Sequence, residues 1–259
     1  MKVVPVARAA AMTLLAGAVG GAALLAVEAA VARRRRYAEP RFDLGLRATV
    51  GPDNAPPLRL VLLGDSSSLG VGVDRWSDTV GGQLAELLAN QGPDSPQVHL
   101  SSVGVVGSRC ADLSTQVARA LVGERPDVAV ILIGTHDVTS LRRPAETAAH
   151  LGAAVRRLRE AGVQVVVGTC PDLGAVRAIA QPLRQLIGVL GRWTARAQAR
   201  AVEEAGGTVV DLAAETGAVF RADPNTFCFD GFHPSADGYR VWAHALLPAV
   251  AAAAATAHR

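Results

Sequence analysis

Ser66, Asp230 and His233 are the residues of this chain best suited to covalent chemistry. A serine hydroxyl is a weak nucleophile at neutral pH and needs a base beside it; a histidine serves when a carboxylate fixes its tautomer. Gly64-Asp65-Ser66 follows directly on the apolar run LRLVLL (58–63), and Asp230 precedes His233 by three residues near the other end of the chain. Alone, the first motif reads as a turn after a strand and the second as a helix cap. Together they supply nucleophile, base and orienting carboxylate, the parts of an acyl-transfer site.

With two intermediate motifs the chain resembles the SGNH or GDSL hydrolases over about residues 58–250. The nucleophile block is matched by Gly64-Asp65-Ser66, the glycine block by VGVVGSR (103–109), the G-x-N-D block by Gly134-Thr135-His136-Asp137, and the D-x-x-H block by Asp230 and His233. The resemblance implies Ser66 as nucleophile, His233 as general base and Asp230 as its orienting carboxylate. It implies an oxyanion hole from the backbone of Ser66 and Gly107, with Gly104 as the second choice for the glycine. The family's third-block Asn is replaced here by His136. An imidazole keeps at least one N–H to donate, so His136 is expected as a third, tautomer-dependent donor to the oxyanion; the alternative is that it only packs against the loop while the two backbone donors act alone.

The elements that must position these residues are legible from patterning. Five β-rich runs recur: 58–63, 97–102, 128–133, 163–167 and 208–212, separated by segments of helical composition. Near-continuous Val/Ile/Leu runs belong to strands covered on both faces. The prediction is a three-layer α/β/α sandwich with a five-stranded parallel sheet, the flavodoxin-like fold of the SGNH hydrolases. Ligands bind such sheets beyond the carboxyl ends of the strands, and the candidate residues all fall in such loops. No G-x-S-x-G elbow surrounds Ser66, which excludes the α/β-hydrolase arrangement. In 142–162 the apolar positions 148, 151, 155 and 158 mark one helix face, with Arg156, Arg157 and Arg159 on the solvated side. In 182–206, Leu183, Leu186, Ile187, Leu190 and Trp193 form an apolar face expected to be mostly core; the alternative is that its start, with 171–181, walls the acyl site.

Other features are read as structural. Gly70-Val71-Gly72 lacks the third glycine of a dinucleotide fingerprint, so no cofactor is expected. Cys110, Cys170 and Cys228 are roughly sixty residues apart and lack metal-ligand spacing. No metal is expected; a Cys170–Cys228 disulfide is open to an exported protein, and three separate thiols are the preferred reading. Asp65 and Asp137 are expected to brace loops, Asp112 to begin a helix, and His99, His150 and His244 to be structural.

The chain has 259 residues, half of them apolar, and a net charge of +3. Residues 1–41 hold seven basic side chains and two acidic ones, leaving 19 basic and 21 acidic in the remainder. A body of net −2 offers no footprint for nucleic acid. Residues 9–27, AAAMTLLAGAVGGAALLAV, are uncharged and about as long as a bilayer span. Ala30-Val31-Ala32 also fits a signal-peptidase site, but the apolar core exceeds the usual signal length, and an uncleaved membrane anchor is preferred. The four arginines 33–36 favour a cytoplasmic body whereas the resemblance implies export, so the side of the membrane stays open. The expected organisation is an anchor or signal segment (1–37), a linker (38–57), a monomeric catalytic domain (58–250) and a tail (251–259). The expected activity is a serine esterase or lipase acting on acyl esters of lipid or carbohydrate. The alternatives are an acyltransferase sharing the same acyl-enzyme, and a non-catalytic binding module.

Overall fold

The computed structural model describes residues 4–41, 47–93 and 95–257, with side chains from residue 19 onward. A helix α1 (Val4–Arg34) comes first, followed by a short strand β1 (Arg47–Val50) and the long strand β2 (Pro57–Gly64). Then come α2 (Val80–Ala89), β3 (Gln97–Ser102), α3 (Leu113–Ala120), β4 (Val128–Leu132) and the single-turn α4 (Thr135–Thr139). The remainder is α5 (Pro144–Glu160), β5 (Gln164–Gly168), α6 (Leu183–Glu204), β6 (Thr208–Val210), α7 (Leu212–Ala222) and α8 (Ala236–Ala257).

The sheet order is β1-β3-β2-β4-β5-β6, parallel throughout except for β1, which pairs antiparallel with β3. Alternation along the strands divides the core in two, because successive side chains leave a strand on opposite faces. Leu58, Leu60, Leu62, Val128 and Val130 pack with α2 and α8 on one side. Val61, Leu63, Ala129 and Ile131 pack with α3, α5 and the end of α6 on the other. Both faces are covered, as the unbroken apolar runs predicted. On α5, Leu151, Val155 and Leu158 are fully buried, as their spacing requires.

Three expectations are revised. The sheet has six strands, the additional one being β1, which lies in the stretch 38–57 read as linker. Arg47–Val50 is four residues with a half-buried, half-exposed alternation, too brief for periodicity to distinguish from loop. The apolar face predicted on α6 holds in part: Ile187 is buried and Leu183 and Leu190 pack against the core, but Leu186 and Trp193 are exposed, and the inward face continues through Gly188, Gly191, Ala195, Gln198 and Val202. Small residues let this helix approach its neighbours, and small residues carry little weight in a hydropathy pattern. His99, His150 and His244 are exposed on the surface. Among the described residues no helix is long and apolar enough to cross a membrane; the side chains of 9–18, half of the expected anchor, lie outside the described residues.

Strand β2 delivers Ser66 through a tight approach to β4. Gly64 has φ +136°, and a Cβ built there would lie 1.8 Å from the Leu132 carbonyl oxygen. Asp65 N–H donates to that same oxygen at 3.1 Å. Gly64→Ala is therefore expected to combine backbone strain of about 1–3 kcal/mol with overpacking of about 1–3 kcal/mol. A chemical-denaturation curve shifted by less than about 1 kcal/mol would contradict this account of the strand end.

Candidate active site

The chain after Gly64 turns at once into a single 3₁₀ turn, Ser66–Leu69, capped by the Asp65 side chain accepting from Ser67 N–H at 3.0 Å. This turn places the Ser66 side chain at the carboxyl edge of the sheet. As the first residue of the turn, Ser66 presents a backbone N–H that no acceptor takes among the described residues, the usual situation at a helical start. Asp65 is buried, and burial is the main reason its carboxyl pKa is raised; the Ser67 N–H and the charges of His136 and His233 work against that rise.

His233 reaches Ser66 from the far end of the chain, with Nε2 3.2 Å from Ser66 Oγ. Its Nδ1 lies 2.7 Å from Asp230 Oδ2. A carboxylate only accepts, so Nδ1 carries the proton and Nε2 turns its lone pair to the serine. Asp230 Oδ1 accepts from Phe232 N–H at 2.7 Å and from His233 N–H at 2.9 Å, which folds the D-x-x-H segment into a compact loop. A further N–H, from Ala38, reaches Oδ2 at 2.8 Å. Burial alone would raise the Asp230 pKa; the His233 ring and the three backbone N–H groups outweigh it and hold the carboxyl well below the ordinary range. Gly72, at φ +109°, lets the loop after Ser66 pass against this histidine: a Cβ there would meet the Pro234 carbonyl at 2.5 Å and His233 Cβ at 3.2 Å.

Gly107 and Gly104 separate clearly. A Cβ on Gly104 would lie 1.9 Å from Ser68 Oγ, so its smallness serves packing. Gly107 is exposed at φ +78°, and its N–H has no acceptor among the described residues. His136 is half-buried on α4, one residue past Thr135, which lines the cleft described below. Asp137 braces as expected, accepting from Cys110 N–H at 3.0 Å and Thr147 Oγ1 at 3.2 Å. All three cysteines are free, and burial pushes the thiols of Cys110, Cys170 and Cys228 up, the last to about 11.

Two glutamines escaped the sequence reading. Gln116 on α3 is fully buried; its Oε1 accepts from Gly64 N–H at 2.7 Å, and its Nε2 donates to the Gly64 carbonyl at 2.9 Å and to Ser108 Oγ at 3.0 Å. It joins the Ser66 turn to the glycine loop. Gln198 on α6 does the same for the next two strand ends, accepting from Cys170 N–H at 2.8 Å and donating to the Ile133 carbonyl at 3.0 Å. The signal was a lone amide on an apolar face, with Leu113 and Val117 beside Gln116, and Ala195 and Val202 beside Gln198. Tyr37 and Ala38 were assigned to the anchor end and the linker, yet both touch the Asp230–His233 loop.

Beside Ser66 and His233 opens an apolar cleft lined by Leu173, Val176, Phe220, Phe227, Phe232 and Trp242. Its free space is about 40 Å³, room for on the order of three waters. The 171–181 segment thus walls this cleft, through Leu173 and Val176, while α6 does not reach it.

The chain belongs to the GDSL-like lipase/acylhydrolase family, whose model matches residues 62–241. It is 42% identical over 195 residues to a GDSL-like esterase from Mycobacterium tuberculosis; the match covers 74% of this chain and 62% of that relative's length. Among solved structures, a lipolytic protein of the G-D-S-L family from Veillonella parvula superposes with TM-score 0.59 at 16% identity, covering 74% of this chain and 97% of its own. Axe2, an acetylxylan esterase from Geobacillus stearothermophilus, gives TM-score 0.56 at 21% identity over 76% of this chain and 95% of its own. At these identities the two structures establish the fold.

The electrostatics of Asp230 fix a pH dependence. Its folded pKa is depressed, so its contribution to stability is complete above its ordinary titration range near pH 4 and is lost as pH falls through the folded value. Asp65, raised by burial, has the opposite sign and weakens the fold as pH rises through that range. Asp230→Asn is therefore expected to cost more stability at about pH 7 than at about pH 2.5, measured by urea denaturation. Equal costs at the two values would contradict the charged, four-donor carboxylate.

Proposed function

We propose that this chain is a serine ester hydrolase that forms an acyl-enzyme on Ser66. The observation that carries the reading is the continuous line of contacts from Asp230 through His233 to Ser66, ending beside an apolar cleft. In the first step Ser66 Oγ bonds to the ester carbonyl carbon while its proton passes to His233 Nε2. The carbonyl oxygen becomes an oxyanion, met by the N–H groups of Ser66 and Gly107, with the His136 imidazole as third donor. Collapse breaks the ester C–O bond, and the leaving alcohol takes the proton from His233. Water then repeats the sequence: His233 removes its proton, the carboxylic acid departs, and Ser66 recovers its hydrogen. Asp230 stays ionised throughout, fixing the tautomer and stabilising the imidazolium.

The small cleft supports a short acyl group, close to acetyl in size, as the part placed inside. The alcohol, carbohydrate or lipid, would lie toward solvent past the exposed Val105, Val106 and Phe229. We also propose that residues 9–32 tether the protein to a membrane. Helix α1 runs unbroken through them, and its described half leaves Val19, Leu24, Val27 and Val31 exposed.

Hydrolysis of p-nitrophenyl acetate and p-nitrophenyl decanoate tests the first proposal. Ser66→Ala and His233→Ala should each abolish turnover while leaving the thermal melt near wild type, and acetate should be preferred; wild-type turnover in Ser66→Ala would refute the site. His136→Ala should lower kcat by about 10–10³ with little change in KM, as when one oxyanion donor is lost. His136→Asn should recover much of that loss, because the amide restores a donor; a fully active Ala variant would remove His136 from the mechanism. For the tether, the full chain should partition with membranes and resist extraction by high salt, since an apolar anchor is indifferent to screening. Recovery of unprocessed full chain in the soluble fraction would contradict it.

A further inference from the structure

We propose that the segment immediately after α1 is part of the active site, with the Ala38 N–H as a positioning donor on the Asp230 carboxylate and Tyr37 as a wall beside His233. This rests on the catalytic roles assigned above to Asp230 and His233. The two oxygens of Asp230 are held differently. Oδ1 is fixed by its own loop, through the N–H groups of Phe232 and His233. Oδ2, the oxygen that accepts the hydrogen bond from the imidazole Nδ1–H, has one backbone donor among the described residues, and it comes from Ala38, 192 residues away in sequence. A planar carboxylate bound at Oδ1 alone remains free to swing Oδ2 off the line to Nδ1. A second donor on Oδ2 aims its remaining lone pair at the ring, and this aim sets where Nε2 meets Ser66.

The segment is fastened well enough to do this. The Tyr37 hydroxyl donates to the Ala32 carbonyl at 2.7 Å, tying the strap back onto the end of α1. The Tyr37 ring meets Phe232 edge-on, with centroids 5.2 Å apart, and His233 at 6.4 Å. Arg35 donates to the Ala178 carbonyl at 3.2 Å, and Ala178 N–H in turn donates to the Gly231 carbonyl inside the D-x-x-H loop. Two turns further back, Glu28 accepts from Leu183 N–H at 2.9 Å. The strap therefore clasps both segments that frame His233, and the helix that precedes it is docked against the body at the same end.

A strap that merely covers surface would affect stability and nothing else. A positioning strap affects the chemical step through Asp230. The test is steady-state hydrolysis of p-nitrophenyl acetate by the full chain carrying Ala38→Pro, which removes the N–H, and Ala38→Gly, which keeps it. Ala38→Pro should lower kcat about tenfold or more with KM within about twofold, and Ala38→Gly, which keeps the donor on a looser backbone, should lose several-fold less than Ala38→Pro. In an Asp230→Asn background Ala38→Pro should have no further effect, since residues acting through one another are non-additive. Tyr37→Ala, which loosens the strap without removing an N–H, should lower kcat in the same direction and covers the case in which the proline variant fails to fold. Unchanged kcat in Ala38→Pro, or an undiminished loss in the Asp230→Asn background, would overturn the proposal. Absence of hydrolysis by the wild-type chain would instead count against the catalytic reading on which it rests.

Discussion

A carboxylate withdrawn from water keeps its charge only where donors replace the lost hydration, and around Asp230 that requirement organises much of the molecule. Two of the four donors come from the following turn, so the D-x-x-H loop must close tightly. The third is the imidazole whose orientation the carboxylate controls. The fourth is delivered by a segment from the other end of the chain. A desolvated charge with fewer partners would take up a proton instead. Neutral Asp230 would no longer select the tautomer that leaves Nε2 free for Ser66, so the charge of Asp230 and the geometry at Ser66 are one problem.

The sheet solves the other half of that problem. Parallel strands bring several carboxyl ends to one edge, but strand ends are where backbone groups lose their partners. Gln116 and Gln198 satisfy those groups from helices on the same face of the sheet, one at Gly64 and Ser108, the other at Ile133 and Cys170. Fully paired buried amides of this kind define a geometry more sharply than apolar packing does. The rigid edge they create holds the Ser66 turn against the glycine loop, so His233 meets a serine whose position is already fixed.

Much of this was legible in the sequence because it rests on residue types with narrow uses. Strands buried on both faces must be continuous apolar runs, and LRLVLL and VAVILI are. A serine after a strand and a histidine three residues past an aspartate have few joint explanations, and the structure brings them into contact. What escaped depends on backbone or on small residues. Ala38 acts through an N–H that any residue but proline carries. Strand β1 is four residues without a run, and much of the inward face of α6 is made of Gly, Ala and Gln, while Leu186 and Trp193, prominent in its hydropathy, face out. The buried glutamines could have been found as lone amides on apolar faces, but their partners are strand ends that only the assembled sheet defines.

One serine, activated through His233 and Asp230, is proposed here as the acyl acceptor. Peptide mass spectrometry after treating the folded full chain with a serine-directed fluorophosphonate measures this directly. One adduct per chain is expected, on Ser66, formed much more slowly in Asp230→Asn. An adduct on another residue, or none in the folded protein, would contradict it.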